Sequence, residues 1–370
     1  MTSKTLSKSP PKTTPKWFQH VVLSWFDTHG RKTLPWQQNK TPYRVWVSEI
    51  MLQQTQVSTV IPYFSRFMQR FPDLQTLASA TEDEVMHYWT GLGYYSRARN
   101  LQRTAKIIMQ NFYGNFPDDL IELEKLPGIG RSTAGAILAI AFEKKATILD
   151  GNVKRVLTRF HAIQEWPGEK NATEQLWNFA EKYTPTPRIA DYTQAIMDLG
   201  ATICIRGKPQ CPACPLQKKC LAHSLGIETV LPHPKPRKIL PVRETILLIL
   251  RKNEDVVLLE KRPPIGVWAG LWSLPEISST ATENEIKKLC AKNYNFNVKK
   301  AQFGERFRHT FSHFHLDILP AEIFVTSPSS MKSKTVKSKV MTSAQQIWYN
   351  LREPATIGLP APIKFLLSKL

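Results

Sequence analysis

The chain has 370 residues, a length that predicts two or three domains rather than one small core. Its composition is that of a globular protein, which argues against large-scale disorder. Fifty Lys and Arg against thirty Asp and Glu give a net charge of +20, which favours a nucleic-acid partner over a merely soluble basic protein. No apolar run approaches the ~20 residues of a membrane span, so we expect no membrane association.

The N-terminal residues 1–16 carry four lysines and no acidic residue. They lack the apolar segment of a signal peptide, and Pro10-Pro11 argues against an amphipathic transit peptide. We therefore expect a disordered basic arm on a cytoplasmic protein, which in a bacterium would be associated with the nucleoid.

From Trp17 to about Leu225 the apolar spacing is helical and strand signals are nearly absent. One long stretch opens with Thr41 as a candidate N-cap and Pro42 at the first helical position. An all-α domain is predicted over residues 17–225. Further helices are expected at 82–90, 96–112, 132–142, 150–160, 172–183 and 190–203.

Residues 226–241 form a basic, proline-rich linker, which serves either as a strap along phosphates or as a plain spacer. Beyond it, the runs ETILLILR, VVLLEKR, SLPEI, HTFSHFHLDILPAEIFV and QQIWYNL predict strands, and 281–293 predicts a helix. Residues 242–370 are thus expected to form an α+β domain, with an exposed loop at 327–339.

A glycine-rich turn, KLPGIGRSTAGAI, runs directly into a small-residue helix. Gly128 and Gly130 leave the neighbouring backbone amides unobstructed, and a helix N-terminus favours anions. The pattern is typical of a phosphate contact, which binds the nucleic-acid backbone without reading its sequence. An ordinary tight turn between two helices is the alternative.

Two carboxylates have contrasting sequence environments. Glu49 lies in a strongly apolar helix with Trp46 and Leu52 nearby, and such neighbours raise a carboxyl pKa. Asp150 follows an apolar run and precedes a helix, where it is expected to cap the helix and stay ionised. An acid paired with an anion suits cleavage of a glycosidic bond. A surface glutamate and a plain helix cap are the alternatives.

Four of the five cysteines follow a C-x6-C-x2-C-x5-C pattern: Cys204, Cys211, Cys214 and Cys220. In a chain without an export signal, this clustering indicates a metal site rather than disulfides. Both zinc and a 4Fe-4S cluster accept four thiolates, although zinc ribbons more often use two C-x2-C pairs. The isolated Cys290 is expected to be a small buried hydrophobic residue.

The motifs LPGIGRSTAGAI and LDGNVKRVL, followed by the four cysteines, resemble the helix-hairpin-helix DNA glycosylases that carry an iron–sulfur cluster. Within them, SEIMLQQTQV, TGLGYYSRARNL and FRHTFSHFHLD look like the adenine glycosylases. The resemblance runs from about Trp17 to the C-terminus. It implies a helix-hairpin-helix at about 121–141, a 4Fe-4S cluster in the loop 204–220, and a monomer acting on double-stranded DNA.

The resemblance also implies roles for individual residues. Glu49 would protonate adenine at N7, and Asp150 would stabilise or be attacked by the sugar C1′. The adenine would be one mispaired with 8-oxoguanine or guanine, flipped out of the duplex. The implied substrate and DNA contacts are Leu34, Trp36, Gln54, Tyr94, Gly128, Gly130, Ser132, Asn152, Lys154 and Gln194. For Trp36, burial in the core is the alternative.

Ser132 decides between two reaction types. In the related endonuclease III, a lysine at this position attacks C1′ and cuts the strand, which a serine hydroxyl cannot do through a Schiff base. Lys154 is the nearest substitute, but a phosphate or solvent contact is the simpler role for it. A monofunctional glycosylase is expected. An endonuclease III-like glycosylase/lyase and a catalytically silent DNA-binding protein are the alternatives.

The C-terminal domain resembles a Nudix fold. GLWSLPEISSTATENEIKKL lacks the R-E-x2-E-E part of the Nudix box, so a nucleotide hydrolase is disfavoured. In the family this domain finds 8-oxoguanine, and the matching loop here implies contacts from Ser312 and His313.

Overall fold

The computed structural model describes residues 13–236, 239–326, 341–343 and 345–370, with residues 341–343 as backbone. Residues 1–12 of the predicted basic arm and the predicted loop at 327–339 lie outside the described residues. The first helix begins at Pro15, and the Thr14 side chain accepts a hydrogen bond from the Trp17 amide at 3.3 Å. In the part of the chain that is described, no helix is long and apolar enough to cross a membrane.

The chain divides into two compact units. The first contains Met1–Ser79 and Asn100–Arg237, and the second contains Ala80–Arg99 and Lys238–Leu370, as far as these ranges are described. The division assigns the segment Ala80–Arg99 to the second unit, although it lies in the helical half of the sequence.

The first unit is helical, as its apolar spacing predicts. Its helices are α1 (Pro15–His29), α2 (Pro42–Leu52), α3 (Val57–Arg70), α4 (Leu74–Ser79), α7 (Leu120–Glu124), α8 (Arg131–Ala141), α9 (Gly151–His161), α10 (Lys170–Tyr183), α11 (Ile189–Thr202) and α12 (Leu221–Ser224). Between α4 and α7 the chain forms α5 (Glu82–Trp89), which belongs to the second unit, and α6 (Ser96–Asn111), which begins in the second unit and continues in the first. The core of the first unit is rich in aromatic residues, with Phe18 stacked on Tyr183 at 4.1 Å between ring centroids.

The start of α2 confirms the predicted helix opening. The Thr41 side chain accepts from the Arg44 amide at 3.3 Å, and Pro42 occupies the first turn. The long stretch that opens at Thr41 forms two helices, α2 and α3, because the chain turns between Leu52 and Val57. Gln54 adopts a left-handed backbone there, with φ of 57°, a conformation that a helix cannot continue.

The glycine-rich turn joins α7 to α8, so these elements form a helix-hairpin-helix. Gly128 has φ of 80°, and a Cβ added there would lie 3.0 Å from the Asn100 Cβ, so both backbone and space require glycine. Gly130 is the N-cap of α8 and has open space around it. The Arg131 guanidinium is held by Glu181 at 2.5 Å and lies 4.0 Å from the centre of the Trp177 ring.

Helices α9 and α11 approach closely at Gly200. A Cβ added to Gly200 would lie 2.6 Å from the Asn152 Cβ and 2.9 Å from the Asn152 backbone. Contacts of that length are not tolerated without movement of one helix. Gly200 therefore fixes the position of the first turn of α9.

The linker packs on the first unit over its described first part. Leu231 is buried, and its carbonyl accepts from Arg159 Nε at 2.8 Å. The Lys235 ammonium lies 5.5 Å from the centre of the Trp166 ring.

The second unit contains a mixed sheet of the strands β1 (Val242–Arg251), β2 (Val256–Lys261), β3 (Trp272–Ser273), β4 (Glu276–Ser278), β5 (Asn297–Phe303), β6 (Phe307–Thr310), β7 (His315–Thr326), β8 (Met341–Ser343) and β9 (Gln346–Asn350). Its main strand order is β5-β7-β1-β2-β9-β8; β3 pairs with β2, β4 with β1 and β6 with β7. The β1 and β7 pair is parallel, and the other pairs are antiparallel.

Helices α13 (Glu283–Tyr294) and α14 (Ala361–Leu367) complete this unit. Alternate β1 residues Ile246, Leu248 and Leu250 pack against α13, which contributes Cys290 to the same core. Cys290 is fully buried, as expected. The α+β class predicted for this half of the chain is confirmed.

Helix α5 packs within the second unit through several specific contacts. Asp83 accepts from the Lys261 ammonium at 2.9 Å and from Trp272 Nε1 at 3.0 Å. Beyond α5, the Tyr95 hydroxyl donates to the Leu359 carbonyl at 3.1 Å. A Cβ on Gly358 would lie 2.5 Å from the Met86 Cβ, so the chain passes directly against the helix.

The close approach at Gly200 yields a stability prediction. We expect Gly200→Ala to lower the free energy of unfolding by about 1–3 kcal/mol, because the overpacking against Asn152 outweighs alanine's better helix propensity. The measurement is the denaturant midpoint at unchanged slope. Gly151→Ala is the control, since nothing lies within 4 Å of its Cβ position. A Gly200→Ala variant as stable as this control would contradict the assignment.

Candidate active site

A cavity of about 740 Å³ opens in the first unit where α2, α8, α9 and α11 meet. Its lining combines carboxylates, amides, arginines and two buried apolar side chains, and brings together residues far apart in sequence. The lining residues are Arg31, Leu34, Trp36, Glu49, Leu52, Gln53, Gln54, Thr55, Gln56, Val57, Ser132, Thr133, Asp150, Gly151, Asn152, Arg155, Gln194, Met197, Ala201 and Arg206.

Glu49 enters the cavity from the last turns of α2, a helix whose other faces are buried. Its neighbour Trp46 is fully buried. Burial and the charge of Asp150 raise the pKa of Glu49 to about 8. The carboxyl group therefore carries a proton at neutral pH, as its apolar sequence context predicts.

Asp150 is the N-cap of α9 and faces the same cavity. Its side chain accepts from the Asn152 amide at 3.1 Å, from the Val153 amide at 2.8 Å and from Asn152 Nδ2 at 2.9 Å. The capping role predicted for it is confirmed.

The N–H donors of the cap do not bring the pKa of Asp150 below its usual value. Burial raises the pKa of Asp150, and this effect exceeds the opposing effect of its three N–H donors and of Arg155. The charge of an ionised Asp150 is one of the two causes that raise the pKa of Glu49. Both carboxyl groups thus have pKa values above their usual range.

Arg155 ties the first turn of α9 to the cysteine-bearing segment. Its guanidinium donates to Asn152 Oδ1 at 2.8 Å, to the Gly200 carbonyl at 2.5 Å and to the Cys204 carbonyl at 2.6 Å. Asn152 in turn donates to Asp150. A continuous set of hydrogen bonds therefore links Asp150 to the backbone of Cys204.

Ser132 also contributes to the position of Asp150. Its Oγ accepts from the Leu149 amide at 3.0 Å, so the start of α8 holds the residue that precedes Asp150. The serine hydroxyl lines the cavity beside Thr133. Its hydrogen bond gives Ser132 a structural role that the motif alone did not indicate.

Leu34 and Trp36 form an apolar wall. Both are largely buried, and the Trp36 ring meets Phe64 edge to face at 5.6 Å. Both also line the cavity, so core burial and a contact with a flat base are compatible at these positions.

Several predicted residues lie away from this cavity. Gly128 and Gly130 stand in the helix-hairpin-helix turn, and Lys154 lies on α9 beyond the lining. Sequence reasoning also missed lining residues, notably Arg31, Met197 and Arg155. Arg155 lies in the motif GNVKRVL, next to Asp150, so the sequence could have indicated that it lines the cavity. No motif around Arg31 indicates that this residue lines the cavity.

Tyr94 belongs to the second unit and stands at a sharp turn. Its backbone is left-handed, with φ of 48°, and its side chain is 48% exposed. The Arg97 guanidinium lies 5.5 Å from the centre of the Tyr94 ring and donates to the Gly93 carbonyl at 3.1 Å. The turn therefore exposes the Tyr94 ring to solvent while one face of the ring contacts the buried Arg97 guanidinium.

Ser312 and His313 are exposed in the turn between β6 and β7, also in the second unit. The Phe311 ring stacks on the Phe314 ring, with 4.6 Å between ring centroids, and its centroid lies 5.9 Å from that of the Trp268 ring. These aromatic contacts fix the base of the turn and leave the two polar side chains outward.

The four clustered cysteines line one small cavity in the first unit, and none of them is in a disulfide. Arg159 Nη1 lies 3.2 Å from the Cys204 Sγ, which suits a charged thiolate. Burial raises the pKa of Cys214 to about 12 and that of Cys220 to about 11, so a bound metal is needed to hold them as thiolates. The donor set fits a four-thiolate metal centre.

A mixed donor set also occurs in this cavity. Ligand atoms of Cys211, His223 and Glu228 lie within 4.8 Å of one another. A single ion and a four-thiolate cluster are therefore both chemically reasonable here.

The fold and the cavity define a class. Residues 47–182 match the HhH-GPD superfamily of base excision DNA repair proteins, and residues 245–369 match the NUDIX domain. Among solved structures, a thermostable thymine-DNA glycosylase superposes with a TM-score of 0.52 at 26% identity, covering 57% of this chain and 97% of that one. The chain combines a base-excision glycosylase fold with a Nudix-like domain.

Similar sequences define the family. The adenine DNA glycosylase of Buchnera aphidicola subsp. Baizongia pistaciae is 41% identical over 354 residues, which cover 95% of this chain and 96% of the relative. The human adenine DNA glycosylase is 36% identical over 324 residues, 73% of this chain and 59% of the relative. The chain belongs to the adenine DNA glycosylases, base excision repair enzymes that bind DNA and act on adenine.

Proposed function

We propose that this glycosylase removes adenine paired with 8-oxoguanine or guanine, and that it hydrolyses the N-glycosidic bond without cutting the strand. The observation that carries the chemistry is Glu49, whose carboxyl is protonated at neutral pH and faces an open cavity beside Asp150. A base buried in a duplex is out of reach of such a cavity, so the adenine must be flipped out.

Glu49 donates its proton to N7 of the flipped adenine, which turns the base into a better leaving group. As the bond between N9 and C1′ breaks, positive charge develops on the sugar. The ionised Asp150 stabilises that charge or bonds transiently to C1′, and water completes the hydrolysis. Leu34 and Trp36 supply the apolar wall for the purine.

Ser132 supports the monofunctional assignment. A glycosylase/lyase needs an amine that attacks C1′, and the hydroxyl at this position cannot form the Schiff base. Ser132 instead holds Leu149 through its Oγ. Lys154 lies outside the cavity lining, which argues against it as a replacement nucleophile. The endonuclease III-like alternative is therefore disfavoured.

Duplex recognition is assigned to exposed, sharply turned residues. Gln54 and Tyr94 both stand at left-handed positions, so each side chain projects from a tight turn and suits insertion between bases. Ser312 and His313 supply polar groups for the 8-oxoguanine edge. Gly128 and Gly130 supply backbone amides for a phosphate at the start of α8.

Cys204, Cys211, Cys214 and Cys220 would hold a 4Fe-4S cluster, with Arg159 beside Cys204 to offset its charge. When bound, the cluster would cross-link the segment that follows α11. Because the Cys204 carbonyl accepts from Arg155, that cross-link would also steady the first turn of α9. The role proposed for the cluster is structural.

The proposed substrate is tested with duplexes that carry adenine opposite 8-oxoguanine, guanine or thymine. We expect adenine release from the first two, followed by strand cleavage only after alkali. Glu49→Gln removes the proton donor and should abolish release while DNA binding persists. Release from the thymine pair at an equal rate would contradict the mispair assignment, and strand breaks without alkali would contradict the monofunctional one.

The rate of base release should depend on pH through both carboxyls. Glu49 loses its proton as pH rises through about 8, so the single-turnover rate should fall above that value. On the acid side the rate should fall as Asp150 takes up a proton, at a pH above the usual aspartate range because its pKa is raised. A rate that stays constant well above pH 8 would rule out Glu49 as the acid.

The cofactor assignment is tested by composition. Protein purified without oxygen should contain iron and acid-labile sulfide and absorb visible light, and Cys214→Ser should lose all three. Cys290→Ser is the matched control, because Cys290 lies in the core of the other unit. Zinc bound in place of iron would contradict the cluster.

A further inference from the structure

Asp198 is a fully buried carboxylate that the mechanism above does not use. It lies on α11, and its side chain has no exposed surface. Arg31 donates to it three times: from the backbone amide at 2.8 Å, from Nε at 3.0 Å and from Nη2 at 2.6 Å. Gln194 Nε2 donates to the same carboxylate at 2.9 Å.

Both partners of Asp198 line the catalytic cavity. Gln194 lies one turn before Asp198 on α11, and Arg31 follows α1, far away in sequence. A buried charge is stable only when it is paired and hydrogen-bonded, and Arg31 supplies that pairing. Asp198 thus holds two polar side chains at the cavity surface without lying there itself.

The chemistry of the carboxylate fixes which way the Gln194 amide points. An ionised carboxylate only accepts hydrogen bonds, so Gln194 must turn its NH₂ group to Asp198. The carbonyl Oε1 is then directed away from Asp198 and is available to the cavity. The orientation of the Gln194 amide follows from the carboxylate of Asp198, which can only accept hydrogen bonds when it is paired with Arg31. It does not depend on telling the nitrogen and oxygen of the Gln194 amide apart.

We propose that Asp198 is a positioning residue that presents the Gln194 carbonyl oxygen to the cavity and thereby selects a base with an exocyclic amine. Adenine carries such an amine at position 6, whereas hypoxanthine carries a carbonyl acceptor there. Two acceptors facing each other repel, so the oriented amide rejects the 6-oxo purine. This inference rests on the proposed function, since it requires the flipped base to occupy this cavity.

The test removes the carboxylate, because Oδ1 accepts both from the Arg31 guanidinium and from Gln194, and an asparagine oxygen in that place would leave Gln194 as it is. In Asp198→Ala no acceptor holds Gln194 Nε2, so the amide is free to turn its NH₂ group toward the cavity. We expect the ratio of adenine to hypoxanthine release, each opposite 8-oxoguanine, to fall by about tenfold. Single-turnover rates give this ratio, and comparing variants cancels the intrinsic stability of each glycosidic bond.

A second variant leaves the buried ion pair untouched. Gln194→Met removes the amide, and the preference for adenine over unsubstituted purine should then fall by a similar factor. Combining it with Asp198→Ala should produce no further loss of selectivity, because Asp198 acts through Gln194. Asp191→Ala is the control, since Asp191 lies on the same helix and pairs with Arg188 at the surface.

The outcomes separate this inference from the proposed function. A folded Asp198→Ala enzyme with an unchanged ratio would overturn the positioning role. If that variant does not fold, Gln194→Met decides, and unchanged selectivity there would also overturn it. Failure of the unaltered enzyme to release adenine, or activity in Glu49→Gln, would instead refute the proposed function.

Discussion

The structure depends on keeping two carboxyl groups in one cavity at different protonation states. Burial alone would neutralise both, since an enclosed carboxylate is costly. The N-terminus of α9 breaks this symmetry, because it gives Asp150 three N–H donors. The charge kept on Asp150 then helps to hold the proton on Glu49. Helix capping, ordinarily a local stabilising contact, here also opposes the effect of burial on a carboxyl pKa.

Precise placement of these groups comes from contacts between distant segments. Ser132 accepts a hydrogen bond from Leu149, the residue before Asp150. Gly200 leaves space for Asn152 in the first turn of α9, and Arg155 joins this turn to the Cys204 carbonyl. Each contact uses backbone atoms or a buried side chain, so few alternatives are open to it. The cysteine segment and the cavity that holds Glu49 and Asp150 are consequently parts of one packed structure, although they are separate motifs in the sequence.

Local signals in the sequence predicted a large part of this architecture. Thr41 and Pro42 mark a helix start, Asp150 marks another, and a continuous apolar run marks β1, because each depends only on near neighbours. The pairing of Arg31 with Asp198 could not be predicted, since the residues are 167 positions apart and neither lies in a telling pattern. The raised pKa of Asp150 was missed for a related reason: burial depends on the assembled fold, whereas capping is visible in sequence.

The assignment of α5 to the second unit determines which fragments of the chain would contain all of their packing partners. Asp83 binds Lys261 and Trp272, and Tyr95 binds the carbonyl of Leu359, so the Nudix-like unit is discontinuous along the chain. A fragment expressed from the linker onward would lack one of its own packing elements. A helical fragment ending at the linker would carry α5 without those partners. The Nudix-like domain is therefore not a module that can be exchanged alone, and its exchange between relatives requires matching changes in the residues around α5.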